Sequence, residues 1–265
     1  MKWEDLTAPE FKKFVKKCGG VCIVACGCIE KHGNHLPLGT DFLNGHRIAE
    51  LAAEREPALV FPYWYFAQIH EARHCPGTIA IDPLLVIKVF LDLFSEISRN
   101  GCHKIILKNA HGGNNRLLAH LAEIILHKRT DYGLYFPGRL WPEWRQKEWG
   151  KVLTTKTHGH ACECETSTML HNFPELVKMK AIKGWKTEPL GRYKKLPPGF
   201  VSNFWYADFP EHYAGDGNAA TAAKGKKLVE LQVASLAEYI KAVKADKAAP
   251  ALMKEFYDRC DEVGK

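Results

Sequence analysis

The sequence predicts an α/β protein with a mainly parallel central sheet flanked by helices on both faces. Short apolar segments alternate along the chain with longer amphipathic segments, and polar loops follow several of the apolar ones. This alternation is typical of parallel sheets whose strands are connected through helices. A length of 265 residues allows one large hydrophobic core, and we expect one domain that spans residues 1–265.

The first part of the chain predicts a strand, a helix, a second strand and a second helix. The first strand is a short apolar run that begins after glycines and ends in a polar loop. The second helix is strongly amphipathic, with Pro83 near its start and Gly101 just past its end. These four elements correspond to residues 19–30, 42–56, 57–69 and 82–101.

The second part continues with a strand, a helix, a short strand and two more helices. Two further segments, 138–155 and 184–212, fit this pattern less well and contain several tryptophans and lysines. We expect them to be insertions that cover the site or contact another subunit, because exposed tryptophans more often serve contacts than chemistry. The regular elements are expected at residues 102–110, 116–129, 131–141, 165–177 and 220–244.

The composition excludes several classes of protein. The formal net charge is +7, from 37 basic and 30 acidic side chains, but no recognised nucleic-acid-binding module accompanies this excess. No apolar run reaches the roughly 18–20 residues that a membrane-spanning helix needs. The first residues include acidic ones where a signal peptide would be apolar. We therefore expect a cytoplasmic protein that binds neither nucleic acid nor membrane.

The chain contains nine cysteines, a high and odd number. Without a secretory signal, free thiols are expected rather than disulfides. A zinc site built from Cys26, Cys28, Cys162 and Cys164 is an alternative, but their C-x-C spacing differs from that of zinc knuckles. We therefore expect these thiols to act as small buried hydrophobic groups.

Four segments place histidines and carboxylates at the ends of predicted strands. The first has four such residues within twelve positions, separated by glycine, proline and threonine. Imidazole nitrogens and carboxylate oxygens are the ligands of catalytic zinc, manganese and iron sites. Because ligands bind beyond the carboxyl ends of parallel strands, the segments predict a metal site there. The candidates are Glu30, His32, His35, Asp41, His70, Glu71, His74, His111, His158, His160, Glu163 and Glu165.

Five motifs in the sequence resemble those of the creatininase family of metal-dependent amidohydrolases. "EKHGNHLPLGTD" at residues 30–41 matches the most specific motif, and "NAHGGN" at 109–114 and "HACECETS" at 160–167 match two more. "HCPGT" from His74 and a late "GDGNAATAAKG" are further matches. The resemblance covers residues 20–240, and it implies a creatininase-like fold and a homo-oligomer.

The resemblance implies a centre of two divalent metal ions. By position in the motifs, Glu30, Asp41 and His111 would bind one ion. His32, a bridging Asp41 and Glu165 would bind the other. A carboxylate suits the bridging role because its two oxygens carry several lone pairs. Zn²⁺, Mn²⁺ and Fe²⁺ all suit this ligand set.

The resemblance also implies catalytic and substrate-binding roles. His160 is the expected proton shuttle, and Glu165 belongs with it among the catalytic groups. Cys28 could instead be read as a nucleophile, but the family often has serine at this position, which favours a structural thiol. The positions implied to bind the substrate are His74, Gly112, Gly113 and Asn114.

One position departs from the creatininase pattern. Creatininase itself has a glutamate where this chain has Gly113, so Glu165 is the expected replacement ligand. The same departure argues that the substrate is not creatinine.

The side chains expected to close over a substrate ring are those of Trp141, Trp144 or Trp149.

The predicted function is hydrolysis of a small polar, cyclic or formamide-like substrate at an amide C–N bond, by attack of metal-activated hydroxide. A second interpretation keeps the metal ions and opens a cyclic ketone, such as a keto-inositol, by C–C hydrolysis, because the same hydroxide can begin either reaction. A third interpretation is a metal-binding protein without activity. It is disfavoured because no expected ligand or shuttle is missing from the sequence.

Overall fold

A four-stranded parallel sheet forms the centre of the protein. The structure, a computed structural model, describes residues 1–137, 142–182, 184, 187–197, 199 and 201–265. The strands are β1 Val21–Cys26, β2 Leu59–Val60, β3 Lys104–Asn109 and β4 Gly133–Tyr135. Their spatial order is β2-β1-β3-β4, and each neighbouring pair is parallel. The predicted α/β class with a parallel sheet is therefore confirmed.

Helices surround this sheet, and a small antiparallel pair lies outside it. The pair consists of β5 His158–His160 and β6 Ala214–Gly215. Short 3₁₀ turns include His70–Ala72 and Gly112–Asn114. The α-helices of the described ranges are α1 Ala8–Lys17, α2 Thr40–Arg55, α3 Pro83–Arg99, α4 Asn115–Lys128, α5 Glu143–Val152, α6 Glu163–Asn172, α7 Phe204–Asp208, α8 Ala222–Ala245 and α9 Ala248–Glu262.

The central sheet separates two hydrophobic layers. Side chains of β1 alternate between them, as the period of a strand requires. Cys22 and Val24 cluster with apolar residues of α3 and α4, whereas Val21, Ile23 and Ala25 cluster with those of α2 and α8. Because helices cover both faces, every residue of β1 is buried, which explains why this strand is an uninterrupted apolar run.

All four predicted strands are shorter in the structure than expected; of the predicted 131–141, β4 covers Gly133–Tyr135, and residues 138–141 lie outside the described residues. For the first two strands the reasons are local. The first ends at Cys26 rather than at residue 30, because the chain then passes against the start of α2. A Cβ at Gly27 would overlap the backbone of Phe42, so only glycine allows this close approach. The second strand ends at Val60, shortly before Pro62, which has no N–H to donate to a ladder.

The loops that follow β1 and β3 open at the same edge of the sheet. Cys26 is paired with Asn109 at the ends of these strands, and the Ala110 amide donates to the Cys26 carbonyl at 2.9 Å. The two motif-bearing loops therefore begin side by side, as their order in the sequence predicts.

The two segments expected to be insertions contribute helices near this edge. Helix α5 packs against α8, and α7 packs against the 3₁₀ turn His70–Ala72. Trp141, one of the tryptophans expected to close over a substrate, lies outside the described residues. Among the helices that are described, none is both long enough and apolar enough to cross a membrane.

Candidate metal centre

The loop after β1 carries two candidate ligands toward the start of α2. Within this compact loop the Glu30 amide donates to the Leu38 carbonyl at 3.0 Å. Asp41 follows in the first turn of α2, where the helix dipole favours a carboxylate. Glu30 and His32 are fully buried, and Asp41 is buried as well. Local backbone geometry thus brings three of the expected ligands into one buried place.

Asp41 lies between two histidines. Its Oδ1 is 3.1 Å from His32 Nε2, and its Oδ2 is 2.9 Å from His111 Nδ1. Glu30 contacts the same histidine, with Oε1 2.8 Å from His111 Nδ1. Two carboxylates and two imidazoles from separate loops therefore meet at the carboxyl edge of the sheet.

Atoms that could bind a metal ion form three overlapping groups, two of which share Asp41. Within each group, the potential ligand atoms all lie within 4.8 Å of one another. The four cysteines considered as an alternative zinc site form no such group in the described part of the chain. The groups are Cys28, Glu30, Asp41 and His111; His32, Asp41 and Glu165; and Glu30, His32 and His160.

The contacts in this cluster fit the binding of cations. Glu30 Oε1 and His111 Nε2 are buried and accept or donate no hydrogen bond among the described residues. The 2.8 Å contact between Glu30 Oε1 and His111 Nδ1 is an ion-pair contact and not a hydrogen bond of good geometry. Buried polar atoms without a hydrogen-bond partner are rare, and they often mark the place of an ion or a water molecule. Together with the nitrogen and oxygen ligand types, these unpartnered atoms show that the residues fit a divalent metal centre.

The charges in the cluster shift the pKa values of its members in opposite directions. Burial alone would lower the pKa of His32, but Asp41 and Glu30 outweigh it and raise the pKa to about 10. Burial likewise opposes the charge on His111, yet Glu30 and Asp41 raise its pKa well above the ordinary value. Although burial would raise the pKa of Glu30, the neighbouring histidines hold it well below its usual range. The metal-free cluster therefore holds protons that a metal ion would displace.

His212, which the sequence did not single out, holds one oxygen of Glu30. The indole N–H of Trp205 can only donate, and it donates to His212 Nδ1 at 2.9 Å. In the neutral ring Nε2 therefore carries the hydrogen, and it donates to Glu30 Oε2 at 2.5 Å. Trp205 thus fixes the tautomer of His212, and His212 fixes the orientation of Glu30.

Backbone strain is found at two residues that support the cluster. His212 has φ 52° and Ala161 has φ 54°, in the left-handed region that costs about 1–2 kcal/mol for a residue with a side chain. The Ala161 amide donates to Glu165 Oε2 at 2.5 Å. Each strained residue therefore positions one carboxylate of the cluster, and such strain is typical of functional sites.

His160 lies between two other histidines of the site. Its ring centroid is 4.1 Å from that of His32 and 4.2 Å from that of His212. Its Nε2 is 2.7 Å from the carbonyl oxygen of Lys31, which can only accept, so Nε2 carries the hydrogen and Nδ1 has the free lone pair. Burial and the charge of His32 lower the pKa of His160 to about 3, so the ring of the metal-free protein is neutral at pH 7.

Glu163 and Glu165 lie two residues apart but have different surroundings. Burial raises the pKa of Glu165 to about 8, and a cation beside it would reverse this shift. Glu163 instead accepts hydrogen bonds from the backbone amides of Thr154 and Thr155 and forms an ion pair with Lys224. Glu165 therefore belongs to the cluster, and Glu163 anchors the start of α6.

Three polar side chains occupy the space that a side chain at position 113 would enter. A Cβ at Gly113 would overlap Gln68 Oε1 and His111 Nε2, and it would lie 2.9 Å from Glu71 Oε1. At the neighbouring Gly112, by contrast, a Cβ would meet nothing within 4 Å. A side chain at position 113 would therefore require Gln68, Glu71 and the ring of His111 to move from their present positions.

A cavity of about 1100 Å³ opens over the cluster. Gly112 and Gly113 form part of its wall. Trp149 of α5 and Trp205 of α7 also line it, whereas Trp144 is not among its lining residues. Helices α5 and α7 thus contribute aromatic side chains to this cavity.

The structure does not bring His74 and Asn114 into the wall of the cavity. His74 donates from Nε2 to the Pro210 carbonyl at 2.7 Å. Asn114 is fully buried, accepts from the Gln68 amide at 3.1 Å and donates to Cys26 Sγ at 3.3 Å. Their polar groups fasten loops around the site rather than face a substrate.

Sequence reasoning missed four residues that line the cavity. His212 and Trp205 lie in the segment interpreted as an insertion, and the one available signal was a histidine three residues before the "GDGN" motif. For Lys108 the signal was a lysine inside the buried strand "KIILKN". Nothing in the local sequence distinguishes Arg145 from other surface arginines.

The chain is similar to known proteins over most of its length. The sequence profile of the creatininase family, described as creatinine amidohydrolase, matches residues 4–240. The chain is 26% identical over 231 residues to a mycofactocin precursor peptide peptidase of Mycolicibacterium smegmatis, covering 85% of this chain and 86% of that protein. It is 24% identical over 259 residues to the creatinine amidohydrolase of Pseudomonas putida, covering 89% and 95%.

Solved creatininases share the fold. A manganese form and a Zn–Zn form each superpose on this chain with a TM-score of 0.77 at 21% identity. They cover 92% of this chain and 99% and 98% of their own chains, respectively. Because the family profile spans most of the sequence, the chain belongs to the creatininase family of metal-dependent amidohydrolases.

Proposed function

We propose that this protein hydrolyses the amide C–N bond of a small polar substrate with the help of two divalent metal ions. The observation that carries the proposal is the position of Asp41, whose two oxygens lie 3.1 Å from His32 and 2.9 Å from His111. A carboxylate placed in this way suits two adjacent cations, because each oxygen can bind one of them.

The cluster supplies a complete ligand set for two ions. Glu30, Asp41 and His111 would hold one, and His32, Asp41 and Glu165 would hold the other, with Zn²⁺, Mn²⁺ or Fe²⁺ as suitable metals. Such ions, when bound, lower the pKa of coordinated water to about 7 and polarise the carbonyl group of a substrate.

His160 is suited to move a proton at Nδ1. Its Nε2 is held by the Lys31 carbonyl, so the ring keeps one orientation while Nδ1 takes up a proton. Nδ1 can then return the proton to the leaving nitrogen of the amide. A positioned acid–base group of this kind contributes about 10²–10⁴-fold to the rate.

The backbone amides of Gly112 and Gly113 are suited to stabilise negative charge on the substrate oxygen. Neither amide donates a backbone hydrogen bond to a described residue, and the space beside Gly112 is open. Both residues line the cavity. Fixed donors at such a place stabilise the oxyanion that forms when a carbonyl is attacked.

A peptide amide is a second candidate substrate, favoured by the size of the cavity. Its volume of about 1100 Å³ exceeds the range of about 300–1,000 Å³ that is usual for small-molecule pockets. One relative of this chain is named for its action on a precursor peptide. The same chemical groups would serve an amide bond in a ring, in a formamide or in a short peptide.

The two insertions fit a role as parts of a lid. Helix α5 contributes Trp149 to the cavity wall, and α7 contributes Phe204 and Trp205. Segments 138–155 and 184–212 would belong to the same domain as the rest of the chain. The protein would form a homo-oligomer, as the family resemblance implies.

A substrate screen tests the proposed function. The metal-loaded protein is offered formamides, lactams, cyclic ureas, short peptides and keto-inositols, and NMR identifies the bond that breaks. We expect C–N hydrolysis in one of the amide classes, its loss after chelation and its return after Zn²⁺ or Mn²⁺ is added. Turnover of keto-inositols with no amide hydrolysed would contradict the proposal and favour C–C hydrolysis instead.

A further inference from the structure

Lys108 is a buried cation in the wall of the cavity. It lies near the end of β3, three residues before His111, and is only 5% exposed. Its ammonium group forms no hydrogen bond and no ion pair with any residue that the structure describes. Lysines are almost never buried without a partner, so this side chain requires an explanation.

A second lysine on the same strand, Lys104, has the hydrogen-bond partners that Lys108 does not have. Lys104 and Lys108 are four residues apart and point to the same face of the sheet. Lys104 Nζ donates to three carbonyls at the end of α8, those of Val243, Lys244 and Asp246, at 2.8, 2.9 and 2.7 Å. Local structure accounts for Lys104 in this way but offers no such partners to Lys108.

Lys108 lies close to α2 and shares the wall of the cavity with a second positive charge. A Cβ at Gly45, one turn along α2 from Asp41, would lie 3.8 Å from Lys108 Nζ. Arg145 of α5 lines the same cavity. Burial and the charge of Arg145 lower the pKa of Lys108 to about 8, although the negative charge of Asp41 acts in the opposite direction. Two like charges that face one cavity are favoured when an anion lies between them or beside them.

We propose that Lys108 recognises a negatively charged group of the substrate, a carboxylate, beside the candidate metal centre. This inference rests on the proposed function, and it narrows the substrate class to amides that carry a carboxylate. A bound carboxylate would supply the hydrogen-bonded ion pair that the ammonium lacks, because Asp41 acts on it only from a distance. Metal ions would at the same time offset the negative charges of Glu30, Asp41 and Glu165, so that the cavity attracts rather than repels an anion.

The test compares two ligands that differ only in charge. N-acetylglycine and its neutral carboxamide, N-acetylglycinamide, are titrated into metal-loaded wild-type, Lys108→Met, Lys108→Arg and Lys104→Met protein. Ligand-observed NMR reports binding and hydrolysis separately. We expect the wild-type protein to prefer the carboxylate, and Lys108→Met to lose about 10–100-fold of that preference, as for a hydrogen bond between charged groups. Lys108→Arg and the matched control Lys104→Met keep it.

Thermal unfolding provides a second readout that does not depend on ligand binding. Because Lys108→Met removes an unpaired buried charge, its Tm is expected to be equal to or above that of the wild type. Lys104→Met removes a side chain with three hydrogen bonds, so its Tm is expected to fall. A fall in Tm for Lys108→Met as large as that for Lys104→Met would overturn the inference, because it would reveal a structural role.

The outcomes distinguish this inference from the proposed function. Absence of a carboxylate preference in the wild type, or an equal preference in Lys108→Met, would overturn the role of Lys108 even if amides are hydrolysed. A preference that depends on Lys108, in a protein that hydrolyses none of the amides offered, would support the binding role and contradict the proposed function.

Discussion

Replacing His212 by phenylalanine tests whether a residue outside the ligand set holds the candidate metal centre together. His212 donates from Nε2 to Glu30 Oε2 at 2.5 Å. Glu30 is 0% exposed, and the phenylalanine ring that takes the place of the imidazole offers no hydrogen-bond donor. The substitution therefore leaves a buried carboxylate with one oxygen unpartnered and free to turn.

The expected size of the effect follows from these contacts. A hydrogen bond to a charged group contributes about 1.5–3 kcal/mol, which corresponds to about 10–150-fold in a dissociation constant. Loss of an outer-shell partner usually weakens metal binding by about 10–100-fold. We therefore expect His212→Phe to bind Zn²⁺ about 10–100-fold more weakly than the wild type.

Two further variants separate the role of the hydrogen bond from that of the ring. His212→Gln keeps an N–H donor and should retain part of the affinity. Trp205→Phe removes only the neutral hydrogen bond that fixes the tautomer, worth about 0.5–1.5 kcal/mol, and should weaken binding by no more than about tenfold. Affinity is measured by competition with a chelator, and Tm checks that each variant is folded. Wild-type affinity in folded His212→Phe protein would refute the reasoning.

Three other perturbations have defined outcomes. Gly113→Ala places a Cβ against Gln68 Oε1 and His111 Nε2 and should lower stability by about 1–3 kcal/mol in thermal unfolding, whereas Gly112→Ala, which meets no atom within 4 Å, should not. His160→Ala should keep its metal content by elemental analysis and lose about 10²–10⁴-fold in rate; loss of metal would assign it a ligand role instead. Because the pKa of His32 is raised to about 10 without metal, its contribution to stability is present below pH 6.5 and lost as the pH rises through 10. Metal must displace that proton, so the affinity for the metal ion should rise by about tenfold per pH unit for each proton released. Calorimetry at about pH 6 and about pH 8 measures this affinity, and equal values at the two pH values would contradict the expectation.

The parts of the site that lie on short motifs were predictable from the sequence. Glu30 and His32 lie in the loop after β1, Asp41 lies in the helical turn that follows it, and His111 follows the neighbouring strand. The order of elements alone therefore places them at one edge of the sheet. The alternation of apolar and amphipathic segments likewise predicts the parallel sheet and helices α2, α3, α4 and α8. In both cases the sequence pattern is local, because consecutive residues determine where a strand ends and whether a helix is amphipathic.

The remaining parts depend on tertiary contacts that no local pattern contains. His212 meets Glu30 across 182 positions, and its neighbour Trp205 was interpreted only as part of an insertion. Lys108 lies in a strand that is otherwise apolar, and only the packed structure shows that its ammonium group faces a cavity. Helices α1 and α9 have no fully buried residues, and α1 packs on the core only through the partly buried side chains of Phe11, Phe14 and Val15.

The metal content of Asp41 variants tests the central claim most directly. Elemental analysis of purified protein, saturated with Zn²⁺ and freed of excess, gives the number of ions per chain for the wild type and for Asp41→Ala. Because Asp41 faces both His32 and His111, we expect two ions per chain in the wild type, and in the variant loss of both ions together with all hydrolysis. A folded Asp41→Ala protein that retains both ions, or that hydrolyses substrate without metal, would contradict a pair of cations joined through this carboxylate.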